Sequence, residues 1–120
     1  MRAWDGGGDV LEELARRAVR AGAQIQITPE PGTAPIVLVD APCSGTGRLR
    51  RDPALRWGLE AGAYVELQRQ LLDEALERVT AGGRLFYATC SLLRAENEHA
   101  LGGRDPTHKT TLWPHLHGTD

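Results

Sequence analysis

No apolar run in this 120-residue sequence approaches the roughly 18 residues that a membrane span requires. The opening Met1-Arg2-Ala3-Trp4-Asp5 has nothing of the apolar stretch of a secretory signal. Cysteine is scarce: Cys43 and Cys90 are two residues, too few for a disulfide scaffold. These absences point to a reducing cytoplasm, where a cysteine is structural, metal-binding or reactive. An excess of one charge sign is lacking as well. Fourteen basic against sixteen acidic side chains give a net charge of -2, which excludes a strongly basic nucleic-acid tail but not a local basic patch. There is no internal repeat and no low-complexity tract. What is present is 41% hydrophobic and 25% charged residues, enough for a packed core in one domain and too little chain for two.

Along the chain, Asp9-Val10-Leu11-Glu12 reads as a helix start, an N-cap carboxylate with a glutamate three residues on. Val10, Leu14 and Ala18 then share a face, and Gly22 is a natural stop. Ala23 to Ile27 alternates as a short strand does. Thr28 to Pro35 carries three prolines and a glycine, which makes it a loop. Pro35-Ile36-Val37-Leu38-Val39-Asp40 has the composition of a strand buried on both faces, as in a parallel sheet. An irregular Gly- and Arg-rich segment follows to about Trp57. The spacing of Leu67, Leu71, Ala75 and Val79 predicts a helix over 60–79, its other face carrying five acids and two arginines for solvent. Gly82-Gly83 ends it, and Leu85 to Cys90 reads as a second buried strand. A short helix is expected over 94–101, and nothing periodic after it. A helix joining two buried strands predicts a right-handed β-α-β unit with parallel strands, whose ligands gather at the strands' carboxyl ends.

That geometry directs attention to three residues. Asp40 closes one strand, Cys43 follows three residues later, and Cys90 closes the next strand. Neighbouring strands run about 4.8 Å apart, so these side chains are expected on one edge of the sheet. Two small core cysteines are the plainer alternative. A reversible Cys43–Cys90 disulfide is a third, although the Cys-x-x-Cys spacing is missing. Around them, Pro42 stiffens the turn, and Gly45 and Gly47 are expected to let the backbone come close to a ligand. Arg48, Arg50, Arg51 and Arg56 with Trp57 suit a phosphate backbone and an unstacked base, or else form a solvated basic loop.

Asp40-Ala41-Pro42-Cys43-Ser44-Gly45-Thr46-Gly47 with Arg50-Arg51-Asp52-Pro53 and Trp57 resembles motif IV of the Nol/Nop/Sun family. Tyr87-Ala88-Thr89-Cys90-Ser91 with Glu96-Asn97-Glu98 resembles its motif VI, and Gln68, Leu71 and Leu72 on the intervening helix fit too. The family comprises S-adenosylmethionine-dependent RNA (cytosine-5)-methyltransferases. The resemblance implies a partial Rossmann-like α/β methyltransferase fold, a mostly parallel sheet flanked by helices. It implies that Cys90 is the nucleophile adding to carbon 6 of cytosine, and that Cys43 assists loss of the carbon 5 proton and release of the enzyme. It places Asp40 beside cofactor and base, and Asp5 and Pro42 on the cofactor side, Asp5 towards the ribose. It makes Arg48, Arg50, Arg51 and Trp57 candidates for gripping rRNA or tRNA. Cys90 then needs thiolate character, which nearby arginines are expected to supply.

The departures from the family pattern carry expectations of their own. Gly6-Gly7-Gly8 replaces the usual residues after the ribose-binding acid. No glycine-rich cofactor loop precedes Asp5, and the final strand pair does not follow Asp120. Residues 1–120 therefore read as a partial catalytic domain lacking the first strand and the final strand pair. Uncovered strand edges imply marginal stability and self-association. An inactive RNA-binding remnant and a truncated gene product are the alternatives. No metal is expected: His115 and His117 with Asp120 lack a third ligand at known spacing. Leu112-Trp113-Pro114-His115 instead resembles the approach to the family's last strands.

Overall fold

The structure is a computed structural model, and it describes residues 1–60 and 62–111. The stretch Leu112 to Asp120, with His115, His117 and the expected approach to further strands, lies outside the described residues. The elements run β1 (Arg2–Ala3), α1 (Gly8–Ala21), β2 (Gln26–Ile27), β3 (Ala34–Asp40), α2 (Val65–Glu77) and β4 (Val79–Ala88). Short 3-10 turns cover Thr46–Arg48, Pro53–Trp57 and Arg94–Glu96. The fold is α/β, with strands paired β1-β2 and β3-β4 and helices in the connections. Two compact units are distinguished: Met1–Val39 with Asp73–Ala88, and Asp40–Leu72 with the chain from Thr89 onward.

In the first unit, α1 starts one residue before the expected cap. Its N-cap is Gly7, without a side-chain cap, and Asp9 lies in the first turn instead. There its charge still favours the positive end of the helix. Gly22, at φ 63°, ends the helix as expected by entering the left-handed region. β1 and β2 are parallel, with Arg2 opposite Gln26 and Ala3 opposite Ile27. β2 is thus shorter than the expected 23–27. Ala34 N donates to Arg78 O at 2.9 Å. β3 and β4 are neighbours in one sheet, and the carbonyl of Pro35 approaches Gly83.

The expectation that β3 is buried on both faces is not met. Its residues alternate, Val37 and Val39 half-buried, Ile36 65% and Leu38 68% exposed. Only one face is covered among the described residues. On β4, Phe86 is 50% exposed in the same way. The second buried strand is also displaced: it ends at Ala88, and Cys90 follows it by two residues.

In the second unit, α2 begins at Val65 rather than at Glu60. Gly62, at φ 87°, holds a conformation that a right-handed helix cannot continue through. The helix expected over 94–101 is a 3-10 turn at Arg94–Glu96 followed by further turns. The largest fully buried side chains are Leu72, Gln68 and Glu96, two of them polar. Buried polar groups require partners, and theirs define the next level of structure.

Candidate active site

The site belongs to the second unit, where the loop after β3 meets the loop after β4. Cys43 Sγ and Cys90 Sγ lie 3.3 Å apart, both as free thiols, Cys43 half-buried and Cys90 exposed. The competing disulfide reading finds the two sulfurs close but unbonded.

Hydrogen bonds hold the loops together on both sides of the thiols. Gly47 N donates to Cys90 O at 2.8 Å. A Cβ on Gly47 would stand 2.5 Å from that carbonyl oxygen. Its glycine therefore permits this close loop-to-loop contact. Gly45 does take a glycine conformation, φ 72°, at the entry to the 3-10 turn.

Beside the thiols runs a hydroxyl chain. Ser91 Oγ lies 3.2 Å from Thr46 Oγ1 and 3.3 Å from Ser44 Oγ. Thr46 Oγ1 accepts from Leu92 N at 2.7 Å. Glu96, fully buried, accepts from Ser44 Oγ at 2.7 Å and from Ser44 N at 3.1 and 3.2 Å through its two oxygens. Asn97 Nδ2 donates to Ser91 O at 3.0 Å and to Leu93 O at 2.8 Å, while Thr89 Oγ1 lies 3.0 Å from Asn97 Oδ1. From α2, the buried Gln68 Nε2 donates to Pro42 O at 2.8 Å. The sequence displays Gln68, Glu96 and Asn97 within recognisable motifs but assigns them no task. Their task is visible only once the two loops meet.

The electrostatics differ from expectation. Cys90 is pushed up to about 11, first by desolvation, then by its hydrogen bond to Cys43 and by the charge of that neighbour. Arg48 pulls the other way, as expected of a nearby arginine, but does not win. In the resting site Cys90 is a thiol.

The remaining predicted residues are placed as follows. Asp40 is exposed at the end of β3, and Pro42 is exposed between it and Cys43. Arg48, Arg50 and Arg51 are exposed around the first 3-10 turn. Trp57 is 81% exposed, with the Arg56 guanidinium 4.4 Å from its ring centroid. Asp5 belongs to the first unit, beyond the end of β1, where its Oδ1 accepts from Gly7 N at 2.7 Å. The described residues hold no group of three or more side chains suited to a metal ion. They also hold no helix long and apolar enough to cross a membrane.

Comparison with known proteins adds an independent finding. A family model described as 16S rRNA methyltransferase RsmB/F matches residues 23–120. Rv1407 of Mycobacterium tuberculosis is 39% identical, over 70% of this chain and 24% of its own length. Ribosomal RNA small subunit methyltransferase F of Shewanella woodyi is 49% identical, over 52% of this chain and 14% of its own. Ribosomal RNA small subunit methyltransferase B of Shewanella oneidensis is 47% identical, over 54% and 16%. The crystal structure of PH0851 superposes with a TM-score of 0.80 at 28% identity, covering 98% of this chain and 34% of that one. The chain thus spans about a quarter or less of the curated relatives it matches.

Proposed function

Because the chain belongs to the 16S rRNA methyltransferase RsmB/F family, we propose that it carries the catalytic centre of an RNA (cytosine-5)-methyltransferase acting on small-subunit ribosomal RNA in the cytoplasm. The observation that carries this reading is the pair of thiols 3.3 Å apart at the ends of two adjacent loops. Carbon 5 of cytosine is a weak nucleophile, and a single cysteine suffices to activate it. A second thiol at contact distance gives the centre a group to handle a proton next to the first.

The residues divide the work as follows. Cys90, which is exposed, gives its proton to water, and its sulfur bonds to carbon 6 as the carbon 5–carbon 6 double bond opens and its electrons move onto carbon 5. S-adenosylmethionine, when bound, supplies the methyl group that carbon 5 takes. Cys43 then assists removal of the carbon 5 proton. Those electrons restore the ring double bond as the Cys90 sulfur leaves as thiolate, ready for reprotonation.

Asp40 and Asp5 are exposed carboxyls, chemically suited to the ammonium and ribose hydroxyl donors of the cofactor, and Pro42 shapes the loop beside Asp40. Arg48, Arg50 and Arg51 face solvent where they suit phosphates, and Trp57 offers a stacking surface for an unstacked base.

The test uses RNA containing 5-fluorocytosine, which has no carbon 5 proton to lose, together with S-adenosylmethionine. A denaturation-resistant protein–RNA adduct is expected with the wild type and with Cys43→Ala, and none with Cys90→Ala. An adduct that persists in Cys90→Ala and disappears in Cys43→Ala reverses the assigned roles. Absence of adduct from every form, with calorimetry showing no cofactor binding by a folded chain, favours an RNA-binding remnant.

A further inference from the structure

Cys43 is bracketed. The residue before it, Pro42, offers its carbonyl to Gln68 Nε2 at 2.8 Å. The residue after it, Ser44, donates through Oγ at 2.7 Å and through its backbone N–H to Glu96. Both Gln68 and Glu96 are fully buried. They come from elements far apart in the sequence, α2 and the 3-10 turn after β4.

The bracket is not explained by packing alone. Gln68 Oε1 is buried without a hydrogen-bond partner among the described residues. A buried unpaired acceptor is destabilising, and a leucine would fill similar space without one. Glu96 is likewise a costly choice for a fully buried position, since carboxyls are almost never buried without specific partners. What the two residues accomplish is positional. One bond fixes the backbone before Cys43, the other fixes the backbone and side chain after it. Ser44 Oγ also meets Ser91 Oγ, the hydroxyl next to Cys90. The separation of the two sulfurs is thus set by groups that do not react.

We infer that Gln68 and Glu96 are positioning residues, which hold Cys43 against Cys90 and so set the coupling between the two thiols. The inference rests on the cysteine chemistry proposed above for its catalytic consequence. Its test needs neither RNA nor cofactor, so failure of one does not imply failure of the other.

The full 120-residue chain is treated with dibromobimane, a bifunctional reagent that bridges only thiols held close together. In parallel, iodoacetamide alkylation of Cys90 is followed against pH. Gln68→Leu is expected to fold with a melting temperature within a few degrees of the wild type, because removing the unpaired acceptor offsets the lost hydrogen bond to Pro42 O. In Gln68→Leu and Glu96→Ala bridging is expected to slow by about tenfold or more, the order of effect that small displacements of reacting groups produce. At the same time the alkylation profile of Cys90 moves to lower pH, since the thiol is released from Cys43. With the melting temperature retained, slower bridging together with faster alkylation at neutral pH reports a change in the thiol pair and not a general loss of structure. Glu96→Gln keeps one acceptor for the Ser44 N–H and is expected to restore part of the bridging rate. If Glu96→Ala does not fold by circular dichroism, Gln68→Leu and Glu96→Gln decide. Unchanged bridging and an unchanged pH profile in folded Gln68→Leu overturn the inference.

Discussion

Cys43 Sγ and Cys90 Sγ stand 3.3 Å apart although 47 positions separate them in the chain. At that distance Cys90 meets Cys43 directly, and both the hydrogen bond between them and the charge of Cys43 act to raise Cys90. Only the thiolate is strongly nucleophilic, so Cys90, held up at about 11, rests in a form resistant to stray alkylation and oxidation. Desolvation is the largest cause of that rise, and Cys43 adds to it.

Removing that neighbour should therefore make Cys90 more reactive. In Cys43→Ala the hydrogen bond and the adjacent charge disappear, while desolvation and the pull of Arg48 remain. The alkylation midpoint of Cys90 is expected to fall below about 11. Each unit of that fall gives about a tenfold gain in rate at pH 8. Iodoacetamide kinetics from pH 7 to 11 measure it. An unmoved midpoint would show that desolvation acts alone.

The same shift has a consequence for stability in alkali. A free cysteine in the unfolded chain loses its proton near about pH 8.5, whereas Cys90 in the folded chain keeps it to about 11. Between those values the folded state binds more protons, so stability falls as pH rises. The contribution is complete below the unfolded value and gone above the folded one. Because Cys90 is exposed the effect is small. It is best read as a difference: urea midpoints between pH 8 and 11 should decline more steeply in the wild type than in Cys90→Ala. Parallel slopes would contradict the shift.

Gly47 provides a purely steric test. An alanine Cβ there would meet the Cys90 carbonyl oxygen at 2.5 Å, and that oxygen is backbone. Gly47→Ala should cost about 1–3 kcal/mol, as overpacking in a tight contact does, and should push the two loops apart. Gly58→Ala is the control, since a Cβ there meets nothing within 4 Å. Equal melting temperatures for the two variants would mean that the loops are not held as described.

How much of this was legible in the sequence depends on what each signal encodes. Gly22 announced the end of α1 because a left-handed residue is a local requirement that one glycine satisfies. β3 was legible from its apolar run, and β4 only from Leu85 on: it starts at Val79, where the period of α2 was read as continuing, and runs through Gly82-Gly83, read as the end of the helix; the burial of neither strand was legible. A run such as Ile36-Val37-Leu38-Val39 records what the strand is suited to, and a covered face depends on neighbours elsewhere. The start of α2 was misplaced because Leu67, Leu71 and Ala75 set the period of a helix but not its boundary, which Gly62 decides. Cys43 and Cys90 were found from their motifs and placed together through strand topology. Gln68 and Glu96 escaped a role because a buried hydrogen bond between distant residues leaves no periodicity. The raised ionisation of Cys90 was not legible for a related reason: arginines can be counted in a sequence, whereas the desolvation of a thiol and a second thiol at 3.3 Å are known only from the fold.

For RNA, Trp57 and Arg51 should separate two kinds of contact. Trp57 is exposed with Arg56 over its ring, a surface on which a base can stack. Trp57→Ala is expected to weaken binding of single-stranded RNA by about 1–3 kcal/mol, with little change in salt dependence. Arg51→Gln should weaken binding across sequences and reduce the salt slope by about one. Fluorescence anisotropy over a series of salt concentrations distinguishes them. If neither variant alters affinity, the basic loop is only a solvated surface.

The last prediction concerns the sheet of β3 and β4. β3 is apolar on both faces, yet Ile36 and Leu38 are 65% and 68% exposed, and Phe86 on β4 is 50% exposed. Apolar side chains standing in water on a strand favour contact with another apolar surface, and an open strand edge adds unpaired backbone groups that recruit a further strand. The chain on its own should therefore associate with itself as concentration rises, and sedimentation velocity across a concentration series should show it. Leu38→Thr retains a good strand former while reducing the apolar surface, and an exposed site has little packing to lose. It is expected to shift the distribution towards monomer without lowering the melting temperature by more than a few degrees. A wild-type chain that stays monomeric at every concentration would show that this face is satisfied without a partner, and the variant would then change nothing.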